Sequence, residues 1–198
     1  MLLDQEDVIL IHMGTNCLVA LGSNQEWEGD TPTDLILGSI LELSKNDLTI
    51  SKVSQLFRTP CFPKGAGPDF INAALMINTA ITPDKLLLIL HDIEAQKGRI
   101  RRERWGSRTL DIDLLSYGDL ILPDRRTFEK WQSLDIDLQQ KSMPENLILP
   151  HPRLQERAFV LGPLMDVAPN WCHPVLGKTV EEMFFALPVS ARNELEVL

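Results

Sequence analysis

The chain has 198 residues, of which 44% are hydrophobic and 24% charged, a composition typical of one globular domain with a full core. Its net charge of −9 argues against nucleic acid as a partner, because so acidic a surface repels a phosphate backbone. The three cysteines lack CxxC spacing and the N-terminus lacks the pattern of a secretory signal, so we expect a cytoplasmic protein without disulfides, structural zinc or membrane contact.

We predict a single domain over residues 1–198, with a loose leader at 1–15 and an insertion at about 124–146. Hydrophobic periodicity and turn residues predict strands at 17–21, 48–57, 70–79 and 109–116, with a short one at 147–149. Helices are predicted from residue 30 or 31 to 44, and at 82–98, 154–164 and 179–187. This order predicts a ferredoxin-like α+β sandwich, a mostly antiparallel sheet with helices on one face.

The segment Leu110–Leu114 alternates apolar and acidic residues, so in a strand Asp111 and Asp113 lie on the same face. Two carboxylates about 6.5–7 Å apart along a strand can hold a pair of Mg²⁺ ions, which prefer oxygen ligands with open positions for phosphate. The alternative is an acidic, solvent-facing strand, and for the aspartates alone that alternative is favoured.

Five arginines precede the aspartates within a short segment and change this preference. A solvated charge run is the usual explanation of such a cluster, but Trp105 and Gly106 in its middle argue against it. Guanidinium groups bind phosphate oxygens in pairs and stay charged, so the segment predicts phosphoryl chemistry on a small polyphosphate. The five are Arg99, Arg101, Arg102, Arg104 and Arg108.

Residues 104–115 resemble the signature of the 6-hydroxymethyl-7,8-dihydropterin pyrophosphokinase family. Further matching segments follow in the family's order, at 21–24, 58–60, 69–74, 94–99, 150–154 and 157–160. The resemblance covers about residues 17–168 apart from the insertion. It implies that the β,γ-diphosphate of ATP is transferred to the hydroxymethyl group of the dihydropterin, giving the pterin diphosphate and AMP in tetrahydrofolate biosynthesis.

The resemblance also implies a nucleotide site. Asp111 and Asp113 would bind two Mg²⁺ ions that bridge the phosphates of ATP. The residues expected to bind ATP are Glu94, Arg99, Arg108, His151 and Arg157, and those expected to act in catalysis, on a closing loop, are Arg99, Arg101, Arg102, Trp105 and Arg108.

On the pterin side, Phe70 and Phe159 look like the two faces of a stacking slot, and Asn72 would bind the pterin edge. Without the motifs, both phenylalanines would be interpreted as core residues. The residues expected to bind the pterin are Thr59, Phe62, Phe70, Asn72, Trp105, Asp111 and Phe159. The expected partners are ATP and the dihydropterin, bound by a monomer, although the sequence does not give the oligomeric state.

Two other functions remain possible from the residues alone. An Asp-x-Asp phosphatase or sugar-nucleotide transferase would use the same pair, but it expects an aspartate at the end of a parallel strand. A ferredoxin-like module for RNA or a regulatory ligand would expect a basic surface with exposed aromatics. The second Asp-x-Asp, at 135–137, lacks preceding arginines, and His173 beside Cys172 is better explained by a turn than by a metal.

Overall fold

The computed structural model describes residues 14–61, 64–65, 67–99, 109–135, 138 and 144–198. The strands are β1 (Thr15–Ser23), β2 (Thr49–Val53), β3 (Phe57–Thr59), β4 (Phe70–Thr79), β5 (Asp111–Tyr117) and β6 (Glu196–Val197). The helices are α1 (Pro32–Leu43), α2 (Pro83–Gln96), α3 (Arg125–Gln132), α4 (Ala158–Val167), α5 (Val180–Ala186) and α6 (Val189–Arg192), with a 3₁₀ turn at Leu154–Glu156. Within these ranges no helix is both long and apolar enough to cross a bilayer.

The sheet confirms the predicted α+β, ferredoxin-like arrangement. Its strand order is β5-β1-β4-β3-β6, β2 pairs with β4 beside β3, and each of these pairings is antiparallel. Local signals place the elements well. At the start of α1, the Thr31 hydroxyl accepts from the Asp34 amide while the Asp34 carboxylate accepts from the Thr31 amide, a reciprocal cap that stabilises the first turn.

The strand predicted at 48–57 is divided in two at Ser54. The Ser54 hydroxyl accepts a hydrogen bond from the Ala74 amide at 2.9 Å, and the Ser54 amide donates to the Ala74 carbonyl at 2.9 Å. A side-chain oxygen thus takes the place of a backbone partner, and regular pairing stops there. Beyond the break, β3 continues past the predicted end at residue 57, because Arg58 and Thr59 also pair with β4.

Helices cover both faces of the sheet, so the expectation of one covered face is wrong. Alternate residues of β1 supply the two cores. Val19 and Leu21 pack in a cluster with residues of α1 and α2, whereas Leu18 and Ala20 pack with residues of α4 and α5. The single-sequence pattern missed the second layer because α4 is apolar nearly all round and shows no clear face.

Three smaller predictions need correction. The segment 147–149 forms a single bridge, Leu149 with Leu122, rather than a strand. β1 begins at Thr15, inside the range predicted as leader. The C-terminal elements α6 and β6 were not predicted, and β6 extends the sheet by pairing with β3.

A tryptophan from the turn between β1 and α1 packs on the end of α2. Gly98, just beyond the helix, has φ +74°, and a Cβ added there would overlap the indole ring of Trp27. The Lys97 ammonium lies 3.9 Å from a carboxylate oxygen of Asp30 in the same turn. This turn therefore fixes the position at which the chain leaves α2 toward Arg99.

A buried histidine joins the inserted helix α3 to the rest of the molecule. His173 is fully buried, with its ring centroid 5.4 Å from that of Phe128 in α3 and 5.6 Å from that of Trp171. Its Nδ1 accepts from the amides of Val175 and Leu176, which confirms the turn role, and its Nε2 finds no hydrogen-bond partner among the described residues. Removal from water lowers the pKa of His173 to about 4.

We expect Gly98→Ala to lower the free energy of unfolding by more than the roughly 1–2 kcal/mol that positive φ alone costs a side chain, because the added methyl group also overlaps Trp27. In a Trp27→Ala background, the unfolding free energy lost through Gly98→Ala should fall to the part that positive φ alone explains. Gly177→Ala is the matched control, since Gly177 has φ +63° and nothing within 4 Å of its added Cβ. Urea unfolding measures all four variants, and equal costs of Gly98→Ala in both backgrounds would contradict the contact.

We expect acid to destabilise the fold through His173. Because the folded pKa of about 4 lies below the ordinary value of 6.5, the stability is complete above pH 6.5 and is lost as the pH falls toward 4, by up to about 3 kcal/mol. His173→Asn keeps an acceptor for the Val175 and Leu176 amides but cannot titrate. Urea unfolding from pH 7.5 to 4 should give a flatter profile for this variant, and parallel profiles would contradict the prediction.

Candidate active site

The two aspartates share one face of the sheet with three of the predicted pterin residues, Thr59, Phe70 and Asn72. Ile112 and Leu114 point into the core beneath α1 and α2, so Asp111 and Asp113 point to the opposite face. Across the strands Asp111 stands opposite Gly22, and Gly22 opposite Asn72. Two strand spacings, roughly 9–10 Å, therefore separate the first aspartate from the asparagine.

Each aspartate has an arginine partner. Arg99 Nη2 lies 2.6 Å from Asp111 Oδ1, and Arg157 Nη1 lies 3.5 Å from Asp113 Oδ2. The Asp111 side chain is 18% exposed and that of Asp113 is 35% exposed, so both carboxylates remain within reach of a ligand. The pair thus carries its own countercharges before any phosphate or metal arrives.

Glu94, predicted to bind ATP, lies deeper than the aspartates. Its side chain is only 2% exposed and forms an ion pair with the guanidinium group of Arg99. Its Oε1 also accepts a hydrogen bond of 2.7 Å from the Ile112 amide, between the two aspartates. The carboxylate of α2 is therefore bonded both to β5 and to the arginine that contacts Asp111.

His151 lies beside the second aspartate because of an irregularity in β5. The register between β1 and β5 shifts at Leu18/Val19, which leaves Leu115 without a partner residue, and the Leu115 carbonyl accepts instead from the His151 amide at 2.8 Å. Burial, with Arg157 and Arg153 nearby, lowers the pKa of His151 to about 4, although the Asp113 charge acts to raise it. The neutral ring accepts at Nδ1 from the Arg153 amide, so Nε2 carries the proton.

Arg157 connects the aspartates to Phe159. It is the residue at the N-terminus of α4, and its guanidinium carbon lies 5.7 Å from the centre of the Phe159 ring while a nitrogen faces Asp113. Burial lowers the pKa of the Arg157 guanidinium and the Asp113 charge opposes that shift. The ring of Phe159 is 42% exposed, unlike a core phenylalanine.

On the pterin side, Asn72 is buried and its amide nitrogen donates to the Thr59 hydroxyl at 2.9 Å. Phe70 stands opposite Thr59 on the same face. A Cβ added at Gly22 would lie 3.2 Å from Asn72 Oδ1 and 3.9 Å from Phe70 Cδ1. The absence of a side chain at Gly22 therefore leaves room between the aspartates and the asparagine.

Two residues that were given no site role from the sequence contact the two described ends of the connection from α2 to β5. Trp27 packs on Gly98 before Arg99, and the fully buried Ser23 hydroxyl donates to the Thr109 carbonyl at 2.5 Å. Ser23 lies in the segment 21–24 that resembles the family, at the end of β1. Nothing in the sequence connects Trp27 to Gly98, which are 71 positions apart.

Ten of the predicted site residues are described, and β3, β4, β5, the end of α2 and the start of α4 bring them to one region. They are Thr59, Phe70, Asn72, Glu94, Arg99, Asp111, Asp113, His151, Arg157 and Phe159. The others, Phe62, Arg101, Arg102, Trp105 and Arg108, lie outside the described residues, as do residues 136 and 137 of the second Asp-x-Asp.

Asp111 and Asp113 suit magnesium by the chemistry of their donors. Both offer carboxylate oxygens on one face, and Mg²⁺ is commonly bound by one or two carboxylates with phosphate and water completing the coordination. Among the described residues no group of three or more His, Cys, Asp or Glu side chains could hold a metal by itself. The pair therefore fits a cation that arrives with a polyphosphate.

Comparison with known proteins identifies the family. The family model of 7,8-dihydro-6-hydroxymethylpterin-pyrophosphokinase (HPPK) matches residues 18–169. A 2-amino-4-hydroxy-6-hydroxymethyldihydropteridine pyrophosphokinase of Synechocystis sp. is 36% identical over 151 residues, 76% of this chain and 67% of the relative. The enzyme of that name from Methylorubrum extorquens is 33% identical over 183 residues, 92% of this chain and 99% of the relative.

Solved structures agree on the fold. A crystal structure of HPPK-DHPS in complex with substrates superposes with a TM-score of 0.62 at 14% sequence identity. The superposition covers 88% of this chain but only 43% of that longer one. The chain belongs to the 7,8-dihydro-6-hydroxymethylpterin-pyrophosphokinase family.

Proposed function

We propose that this chain, a pyrophosphokinase by family, uses ATP and Mg²⁺ to transfer diphosphate to 6-hydroxymethyl-7,8-dihydropterin in folate synthesis. The observation that carries the proposal is the row Asp111–Gly22–Asn72 across three strands, which has an acidic end for a metal-bound polyphosphate and an amide end for a flat heterocycle. In the reaction the pterin hydroxyl oxygen bonds to the β-phosphorus of ATP, the bond from that phosphorus to the α-phosphate oxygen breaks, and AMP leaves.

At the acidic end, Asp111 and Asp113 would hold Mg²⁺, which when bound neutralises phosphate charge and aligns the attacking and leaving oxygens. Arg99 and Arg157 lie beside these carboxylates, and with Mg²⁺ bound there their guanidinium groups would be placed to contact phosphate oxygens. Positive groups fixed before the reaction stabilise developing charge without reorganising, and one such donor is typically worth ~3 kcal/mol in the transition state.

His151 supports the nucleotide as a neutral donor. With its pKa at about 4, the imidazole is uncharged at pH 7, and its Nδ1 is occupied by the Arg153 amide. The Nε2 proton is therefore the one it offers to an ATP oxygen or ring nitrogen.

At the amide end, Asn72 would fix the orientation of the pterin. Its Nδ2 is held by Thr59, so Oδ1, which faces Gly22, is free to accept from an N–H on the pterin edge. Phe70 and Phe159 would stack on the two faces of the ring, where offset stacking adds roughly 0.5–1.5 kcal/mol to simple burial. The hydroxymethyl group then points along the row toward Asp111.

The antiparallel sheet disfavours the other Asp-x-Asp functions. A phosphatase nucleophile would be expected at the carboxyl end of a parallel strand, whereas Asp111 is the first residue of a strand antiparallel to β1. We also propose a cytoplasmic monomer. The three free cysteines, two of them buried, accord with a reducing compartment.

We expect the purified chain to form AMP from ATP and Mg²⁺ only when 6-hydroxymethyl-7,8-dihydropterin is present. Asp111→Ala and Asp113→Ala should each lower this rate by at least about 1,000-fold, because each removes a ligand for the metal that holds the phosphates. Chromatographic separation of AMP and ADP measures the reaction.

Asp119→Ala is the matched control, since Asp119 is exposed just beyond the far end of the same strand and should be silent. Formation of ADP or free phosphate by the wild-type chain, or no turnover, would contradict the proposed reaction. Near-normal activity of either site variant in folded protein would contradict the metal assignment alone.

We expect Phe159→Ala to weaken pterin binding about tenfold while changing the Kd of a non-hydrolysable ATP analogue less than threefold, because it removes one stacking face. Phe185→Ala serves as the control, since Phe185 is also an exposed phenylalanine whose ring contacts an arginine, Arg192 on α6. Calorimetric titration of each ligand separates the effects. An equal loss of both affinities would show that Phe159 holds Arg157 rather than the pterin.

A further inference from the structure

Glu94 is a buried carboxylate at the edge of the site, and its described bonds include one to the Ile112 amide and one to Arg99. α2 packs on the face of the sheet opposite the aspartates, and Glu94 lies at its last turn with the side chain 2% exposed. From there Oε1 reaches the Ile112 amide at 2.7 Å, on the edge of β5 that does not pair with β1. A nucleotide could reach this carboxylate only by displacing Arg99 or β5 itself.

The same carboxylate anchors an arginine that has two acidic neighbours. Arg99 pairs with Glu94 through Nη1 and with Asp111 Oδ1 through Nη2 at 2.6 Å. The contact of Arg99 with Glu94 is harder to displace than its contact with Asp111, because Asp111 is partly exposed and Glu94 is not. A buried charge without its partner is costly, so the contact with Glu94 persists when a ligand claims Asp111.

We propose that Glu94 is a positioning residue for the diphosphate transfer rather than an ATP ligand. It fixes β5 through the Ile112 amide, so that Asp111 is presented on the substrate face, and it retains Arg99 at that end of the site. With a metal held by Asp111, the ion pair with Glu94 would keep Arg99 in place, and its second nitrogen would be available to the polyphosphate. The inference rests on the proposed function for its substrate, but the bonds that it uses are within the protein.

The proposed role of residue 94 requires both an oxygen that accepts from the Ile112 amide and a negative charge that holds Arg99. A glutamine there keeps an oxygen for the Ile112 amide but loses the charge that holds Arg99. Glu94→Gln therefore separates the two roles without opening a cavity. Arg99→Gln removes the other partner and leaves the bond from Ile112 to Glu94 intact.

The test is a double-variant cycle with Glu94→Gln, Arg99→Gln and both together, read out by three measurements. These are kcat, the Kd of Mn²⁺ in the presence of a non-hydrolysable ATP analogue by electron paramagnetic resonance, and the Kd of the same analogue in EDTA. Glu94→Gln alone should lower kcat at least tenfold and weaken Mn²⁺ binding at least threefold, because Arg99, released from Glu94, still pairs with Asp111 and competes with the metal. The KM for the pterin should change less than twofold.

In the Arg99→Gln background, Glu94→Gln should change each of the three quantities less than twofold, because its effect acts through Arg99. Equal effects of Glu94→Gln in the two backgrounds, above all on metal-free nucleotide binding, would overturn the proposal in favour of a direct contact. No effect in the wild-type background would also overturn it.

Glu42→Gln is the matched control, since it breaks an exposed ion pair with Lys45 of 2.8 Å and should leave all three quantities unchanged. Thermal unfolding checks each variant, and if Glu94→Gln yields unfolded protein, Glu94→Asp, which keeps the charge but shortens the reach, replaces it in the cycle. The two binding measurements need no turnover. A wild-type chain that forms no AMP but shows the coupling in the two binding measurements would refute the proposed reaction and support only the positioning of Arg99 and Asp111 by Glu94.

Discussion

The packing of β5 against α2 is the constraint on which the site depends. Ile112 and Leu114 are almost fully buried in the core beneath the helices, and in an extended chain this fixes the direction of their neighbours. Burial of these two side chains contributes on the order of 2 kcal/mol each. This contribution exceeds the electrostatic cost of placing the carboxylates of the two neighbouring aspartates on one face. Burial of the apolar side chains of β5 therefore fixes the direction of its aspartates. A shift of the register of β5 by one residue would turn the aspartates into the core and the apolar side chains out of it.

The two sides of the site are organised by different kinds of bond. Around the aspartates the contacts are ionic, with Arg99 and Arg157 each on one carboxylate and Glu94 behind Arg99. Around Asn72 they are neutral, a hydrogen bond to Thr59 with Phe70 standing opposite Thr59 on the same face. Gly22 separates the two environments and belongs to neither. This division suits a reaction that joins a charged donor to a nearly neutral acceptor.

The sequence was informative where structure follows from neighbours along the chain. The reciprocal cap at Thr31, the ten-residue strand at Phe70–Thr79 and the alternation around Asp111 are local signals, and all appear in the fold. Contacts between distant segments left no comparable signal. The break at Ser54 depends on a hydroxyl that reaches Ala74, and the bond from Glu94 to Ile112 depends on how α2 lies along β5. The family motifs supplied the residues predicted to bind the pterin, of which Phe70 and Phe159 would otherwise have been assigned to the core.

β5 lies at the margin of the sheet, and such a strand can recruit a strand from another molecule through its unused backbone groups. Here the Ile112 amide is taken by Glu94 and the Leu115 carbonyl by the amide of His151. Glu94 and His151 thus occupy two backbone groups of β5 that a strand from another molecule could otherwise use. A variant that breaks either contact would leave such a group open to intermolecular pairing, so these two residues also limit self-association.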